Sequence, residues 1–474
     1  MASLAAAQIG PRTVQRPATT TGTTTPGVPL PTFDPTAQNP FSGAVPRGPV
    51  TPEVIDLSLT DALDRALQNN LGLILAQQGS AQVRAARLQA LSQLLPNVNA
   101  HVAEQVQQNN LLALGVPPSF FAGMSPIVGP FSFFDARVTA TEGISLRAIR
   151  SLRASIENVR ASELSVRGAR ELVVVAVGVG YIQALAEQAR IDAISAQLRT
   201  AEALYQQTLD MKNAGTVAGL DVLRAQVEMQ VQQQRLLAAR NNFEKAKLTL
   251  ARAIGLPTGQ QFRLTTEAPY QPPPPLTLDE ALERAFRNRP DYQSALALRR
   301  SAELTLQAAS AARLPSLQFI GDYGDIGPTP GNSHGTFTAA AALQIPIFQG
   351  GRIRSDIQTA EAVLKQRQAQ VDDLRGRVEF EVRSAFLDLN SAAEQVQVAQ
   401  SSVALAQQEV EQARDRFAAG VTNNLEVVQA QAALAVTNEN YIASLLAHNL
   451  AKLELAGSLG IAETAVRTYL GGKR

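Results

Sequence analysis

AGTVAGLDVLRAQ, Ala214–Gln226, returns later in the chain as AGVTNNLEVVQAQ, Ala419–Gln431. Glycine commonly closes the C-terminus of a helix, so Gly215 and Gly420 read as helix ends. New helices then start at Leu220 and Leu425 and run to about Gly255 and Gly460. Upstream there is no proline from Ala148 to Lys212, and the matching stretch runs from Arg352 to Ala418. At 1.5 Å per residue such a helix spans roughly 100 Å, beyond any ordinary globular helix. Each phrase therefore marks the tip of a long antiparallel helical hairpin. In the second returning helix Leu425, Val428, Ala432, Ala435, Ile442, Leu446 and Leu453 make an approximate heptad stripe, with Glu439 as its exception.

Working outward, the duplication extends over most of the chain. LSLTDALDRALQNN, Leu57–Asn70, matches LTLDEALERAFRNR, Leu276–Arg289, at an offset of 276 − 57 = 219, held without a gap to Pro96 and Pro315. The tips match at an offset of 420 − 215 = 205, which also pairs Tyr181 with Phe386 and Ala253–Pro257 with Ser458–Ala462. The change of offset places the length variation near residues 110–132 and 327–335. Four successive prolines within Pro269–Pro275 favour stiff extended backbone and read as the connector between two tandem units.

Each unit opens with a helix. In the first, Leu63, Leu67, Leu71, Ile74, Ala81, Ala85, Leu88 and Leu95 recur at three or four, interrupted by Gln78. Thr60 and Asp279 stand where an N-cap is expected. Pro96 and Pro315 stop the helices. Period-two alternation then marks strands at about 97–109 and 133–147, and in the second unit at about 316–326 and 336–348. Their lengths suit membrane-barrel strands, and Phe120, Phe121, Phe131, Phe133, Phe134 and Tyr323 suit an interfacial aromatic girdle. The strands alone equally suit β-hairpins on a soluble body.

Composition narrows the function classes. Lys and Arg total 42 against 41 Asp and Glu, a net charge of +1, which argues against a nucleic-acid partner. Hydrophobic residues make up 45% but aromatics only 5%, and the apolar share is mostly Ala, Leu and Val, suited to closely packed helices. There is no cysteine, and His101, His334 and His448 form no pair at helical spacing, so no metal site, cofactor site or catalytic site is expected. Nor is there a nucleophile elbow or phosphate loop, and the chain does not read as an enzyme. No segment reads as a transmembrane helix: the best uncharged run, Leu172–Ala186, contains Gly178, Gly180 and Gln183. Met1 is followed only by ASLAAAQ, the remnant of a secretory signal or a mis-assigned start. Residues 1–52 read as a disordered, Pro- and Thr-rich segment.

The duplicated tip phrase and the duplicated opening motif D/E-A-L-x-x-A-x-x-N, in order around strand pairs, resemble the TolC-like outer-membrane efflux proteins. The resemblance covers about Val54 to Ala462. It implies a mainly α, α+β fold of two repeats, 53–268 and 276–462, with 269–275 as connector and 463–474 as a C-terminal tail. It also implies a homotrimer in which each chain contributes four strands to a twelve-stranded barrel and its helices to a periplasmic tunnel. The function implied is passive conduction across the outer membrane in a tripartite efflux or type I secretion system. The implied partners are outer-membrane lipid, a periplasmic adaptor and an inner-membrane pump. The alternative is a soluble periplasmic coiled-coil scaffold, or an adaptor-like protein, without pore activity.

In that family the hairpin tips dock the adaptor and acidic rings line the periplasmic aperture. Carried onto this chain, the docking positions are Gly215, Thr216, Gly420 and Val421, and the aperture candidates are Glu426, Asp221 and the aromatic Phe417. Asp221 and Glu426 have a second reading, as first-turn carboxylates favoured by the helix dipole. Gln429 and Arg224 stand where a second acid would follow, so no double acidic ring is expected.

Overall fold

The computed structural model describes Phe41 and residues 43–469, apart from 114, 116, 122, 267–269, 273 and 274. Most of the segment expected to be disordered, part of the proline connector and residues 470–474 therefore lie outside the described residues. The first unit runs β1 (Ile55–Leu57), α1 (Leu59–Asn69), α2 (Leu71–Ser92), β2 (Asn97–Asn110), β3 (Ile127–Ile144), α3 (Leu146–Asn213), α4 (Gly219–Ile254) and β4 (Phe262–Leu264). The second runs α5 (Leu278–Asn288), α6 (Pro290–Ala311), β5 (Ser316–Gly327), β6 (His334–Gln344), α7 (Arg352–Ala418), α8 (Asn424–Ser458) and α9 (Ala462–Tyr469).

Several boundaries differ from those expected. The N-caps are Ser58 and Thr277, not Thr60 and Asp279. Their hydroxyls accept from the amides of Asp61 (3.1 Å) and Glu280 (3.4 Å), and those acids accept in return from the cap amides. Each opening helix is broken in two. Asn70 takes an extended backbone and its Oδ1 accepts from the amides of Gly72 and Leu73. Pro290, at the first position of α6, has no N–H to continue α5. β3 begins six residues earlier than the expected 133 (133 − 127 = 6), because Asn110 pairs with Ile127, and ends where Ser145 caps α3. β6 stops at Gln344 rather than near 348, since Pro346 cannot donate to a ladder. The expected tail begins as α9, whose Ala465 and Val466 are buried. The parallel pair β1–β4 was not anticipated, because three-residue strands carry no readable alternation.

The long helices pack as two hairpins, α3 with α4 and α7 with α8. α3 contains a window apolar enough to cross a membrane by composition alone. Its Val173, Val174, Val177, Tyr181 and Ile182 instead fill the largest core, against β1, β4, α1, the end of α4 and α9. Tyr181 is fully buried there. Its hydroxyl donates to the Leu57 carbonyl (2.9 Å) and accepts from the Thr266 amide (3.2 Å). A second core joins α5 to the middle of α7 and the end of α8, and a third lies under the tips.

The expected apolar stripes only partly face these cores. Leu63 is buried, but Leu71, Leu88 and Leu95 are exposed on the chain. On α8 it is Val427, Ala430 and Ala435 that point inward, while Leu425 and Ala432 are exposed. The helices carry apolar residues on more than one side, and packing within one chain uses only part of them.

Candidate functional site

The tips are built by paired turns. α3 ends at Asn213, and Gly215, at φ +75°, turns the chain so that the Thr216 amide and hydroxyl both donate to the Met211 carbonyl, at 2.9 and 2.8 Å. In the second hairpin Gly420, at φ +71°, lets the Val421 amide donate to the Arg416 carbonyl (3.0 Å). Nothing lies within 4 Å of a Cβ built on either glycine, so backbone conformation rather than space selects glycine there. Val421, unlike Thr216, has no side-chain donor and stands exposed. The two docking candidates thus have the same turn and different chemistry.

Asp221 lies in the first turn of α4 and Glu426 in the first turn of α8. Neither carboxylate is free. Asp221 lies 3.5 Å from the Arg224 guanidinium. Glu426 lies 3.2 Å from Arg416, and the Thr422 hydroxyl donates to it at 2.5 Å. Phe417 does not lie open at the tip. It is 4% exposed and packs with Leu204, Val410, Ala413, Val427 and Ala430, so its part is to hold the two hairpins together. Two residues escaped the sequence reading. Arg416 sits one turn before Gly420 and pairs with Glu426. Asn424 is fully buried and its amide donates to the Asp221 carbonyl (3.1 Å), tying one hairpin to the other. The Asn423–Asn424 doublet just before a helix is the sequence signal that could have found it. Among the described residues no group of His, Cys, Asp and Glu is arranged to hold a metal.

At the far end β2, β3, β5 and β6 form one antiparallel sheet in that order, whose outer edges are β2 and β6. Its register sorts the side chains. Ala100, Val138, Tyr323 and Phe337 lie in one cross-strand row, and Val98, Ala140, Gly321 and Ala339 in another on the same face. The opposite face carries rows such as Asn99, Thr139, Asp322 and Thr338. Val98, Val102, Val106, Tyr323 and Phe337 are each at least 60% exposed, so the chain does not cover its own apolar face. On that face Glu142 lies towards the helices, and Glu104 and Asp325 lie towards the strand tips. From residue 134 of β3, opposite Glu104, to Glu142 is roughly 27 Å of strand, close to the apolar band of an outer-membrane barrel, with Asp325, opposite Ala136, just inside that span.

The sheet is thus open, its apolar face is uncovered, and helices about 100 Å long continue from it. The family model of outer membrane efflux proteins matches residues 281–472. The chain is 25% identical over 424 residues to a probable efflux pump outer membrane protein, TtgC, of Pseudomonas putida, covering 85% of this chain and 83% of that one. The crystal structure of a membrane protein from Pseudomonas aeruginosa superposes with a TM-score of 0.72 at 21% identity, covering 88% of this chain and 98% of that one. The Campylobacter jejuni CmeC outer membrane channel gives 0.71 at 18% identity, covering 91% and 95%. The second half of the chain thus matches the outer membrane efflux protein family, and the chain as a whole shares the fold of the solved outer membrane channel.

Proposed function

We propose that three copies of this chain close one twelve-stranded barrel above one helical tunnel, and that cargo received from an inner-membrane pump leaves passively through this continuous duct. The register of the sheet carries the reading. Four strands with an apolar face need lipid on that side, yet the unpaired N–H and C=O groups of β2 and β6 cannot face lipid. Pairing β6 of one copy with β2 of the next satisfies both demands and places the polar face around a lumen. Exposed Leu71, Leu75, Leu88, Leu387, Leu405 and Val436 on the helices suit burial against neighbouring copies. The two units derive from a tandem duplication, so the trimer presents six hairpins of two kinds.

At the periplasmic end the tips at Gly215–Thr216 and Gly420–Val421 dock a periplasmic adaptor. Glu426, with Asp221, lines the aperture. Because Arg416 and Arg224 stand against these carboxylates, the ring has a weaker field than free carboxylates would have. Phe417 keeps the paired hairpins packed behind the aperture. The reading gives the chain no catalytic step and no cofactor, and the energy for transport enters through the pump.

The test is direct. The detergent-extracted protein should cross-link as a trimer and produce discrete conductance steps in planar bilayers. A monomer that stays in water without detergent and forms no pore would overturn the reading.

A further inference from the structure

The polar face of the sheet holds one ionic cluster. Asp135 and Arg137 are two apart on β3 and share the face opposite Phe134, Ala136 and Val138. Arg137 Nε donates to Asp135 Oδ1 at 2.7 Å and Nη2 donates to Oδ2 at 2.5 Å, a two-pronged pairing that fixes the guanidinium plane. Arg137 Nη1 also lies 3.5 Å from Asp322 Oδ1 on β5. The backbone enforces this closeness. Gly324, the register partner of Arg137, has no room for a Cβ, which would stand 2.1 Å from the Ala136 carbonyl oxygen and 2.6 Å from Arg137 Cα. The cluster therefore bridges the seam where the strands of the first unit meet those of the second.

Charge balance decides what it can do. Two carboxylates face one guanidinium, a net −1 per chain. The other titratable groups in the three rows concerned are His101, opposite Arg137, and His334, opposite Ile326. With a strand spacing near 4.8 Å and a tilt near 40°, a twelve-stranded wall has a backbone radius of roughly 12 Å. Side chains pointing inward bring these charges to within about one Debye length of the axis at physiological salt.

We infer that Asp135, Arg137 and Asp322, repeated three times, form a net-negative ring on the barrel lumen that favours cations, with Arg137 setting its strength. This filter is separate from the hairpin tips, which stand at the other end of the long helices. It rests on the trimeric duct reading.

The experiment is the reversal potential of the full-length protein in planar bilayers under a KCl gradient at pH 8, above the ordinary imidazole range. Asp322→Asn removes one negative charge per chain and leaves the Arg137–Asp135 fork in place. It should lower the potassium-to-chloride permeability ratio by roughly twofold. Arg137→Gln should raise the ratio by a similar factor, and Arg137→Lys should leave it near the parent value. Should Arg137→Gln fail to assemble, the Asp322→Asn arm decides alone. Conductance steps of normal size with an unchanged ratio in Asp322→Asn would overturn the inference. Absence of steps from the unaltered protein would instead overturn the duct reading beneath it.

Discussion

The buried amide of Asn424 donates to the backbone carbonyl of Asp221 across 3.1 Å, so the start of α8 is fastened to the start of α4. This bond joins the two hairpins at the level of the proposed aperture residues Asp221 and Glu426. It uses the main chain of Asp221, not its carboxylate. Asn424→Ala should remove it and leave the Asp221 carbonyl only its partner within α4, at a local cost of about 0.5–1.5 kcal/mol. The tips should loosen and the closed duct should show more frequent openings in single-channel records. Asp221→Asn should keep the bond and behave like the parent in this respect. Equal opening frequencies in Asn424→Ala and the parent would show that the bond does not restrain the tips.

Glu426 and Arg416, 3.2 Å apart, predict opposite effects at the periplasmic end. Glu426→Gln removes the carboxylate, releases Arg416, and should reduce cation preference and block by divalent cations. Arg416→Gln uncovers Glu426 and should strengthen both. Unchanged divalent block in both variants would remove this pair from the aperture.

Gly215 and Gly420 take left-handed backbone with open space around them, so Ala at either costs about 1–2 kcal/mol in backbone strain alone. That strain is confined to the tip. Gly420→Ala should leave trimer assembly and thermal melting nearly unchanged while protease cleavage between Ala419 and Asn424 accelerates. A large fall in melting temperature would contradict a purely local role.

Tyr181→Phe keeps the ring packing but orphans the Thr266 amide in the largest core, while the Leu57 carbonyl keeps the Thr265 amide as a donor (3.2 Å). Destabilisation of about 1–3 kcal/mol is expected, read as a lower denaturant midpoint. The matching position in the second unit already carries Phe386, so Phe386→Leu should have no comparable polar cost.

Lys452 is 2% exposed, forms no ion pair among the described residues, and lies one turn from fully buried His448 on α8. Burial lowers its pKa from 10.5 to about 8. Between pH 8 and 10.5 the unfolded chain holds a proton that the folded chain has released, so stability rises with pH across that window and the full penalty applies below it. Lys452→Met should be more stable at pH 7 by roughly 3 kcal/mol, and its denaturant midpoint should lose the upward slope between pH 8 and 10. A variant no more stable than the parent at pH 7 would mean that the ammonium has a compensating partner.

Legibility in the sequence followed the range of the interaction. The long helices were readable because an absence of proline is local, and the tips because a helix that must end in a tight turn selects glycine at Gly215 and Gly420. The end of β6 was equally readable, since Pro346 stands in the sequence, but the alternating Ile345 and Ile347 masked it. The break at Asn70 was harder, because an asparagine caps a helix only when its Oδ1 meets the right amides. Candidate site residues divided in the same way. The tip glycines and first-turn acids were visible as a repeated phrase. The guanidinium that faces Glu426 and the amide that holds Asp221 were not, since one sits across a turn and the other joins segments about two hundred residues apart.

The tip phrase that marks the fold thus carried, in its own residues, the turn, the helix starts and the doubling of the unit, all of which depend on neighbours a few residues away. Three-dimensional packing settled what periodicity leaves open. It set which side of each long helix turns inward, packed Phe417 into the core under the tips, and paired β3 with β5 so that Arg137 meets Asp322. Those outcomes depend on register and burial between distant segments. A helix apolar on several sides, or a strand with two free edges, is compatible with more than one partner until the whole chain is assembled.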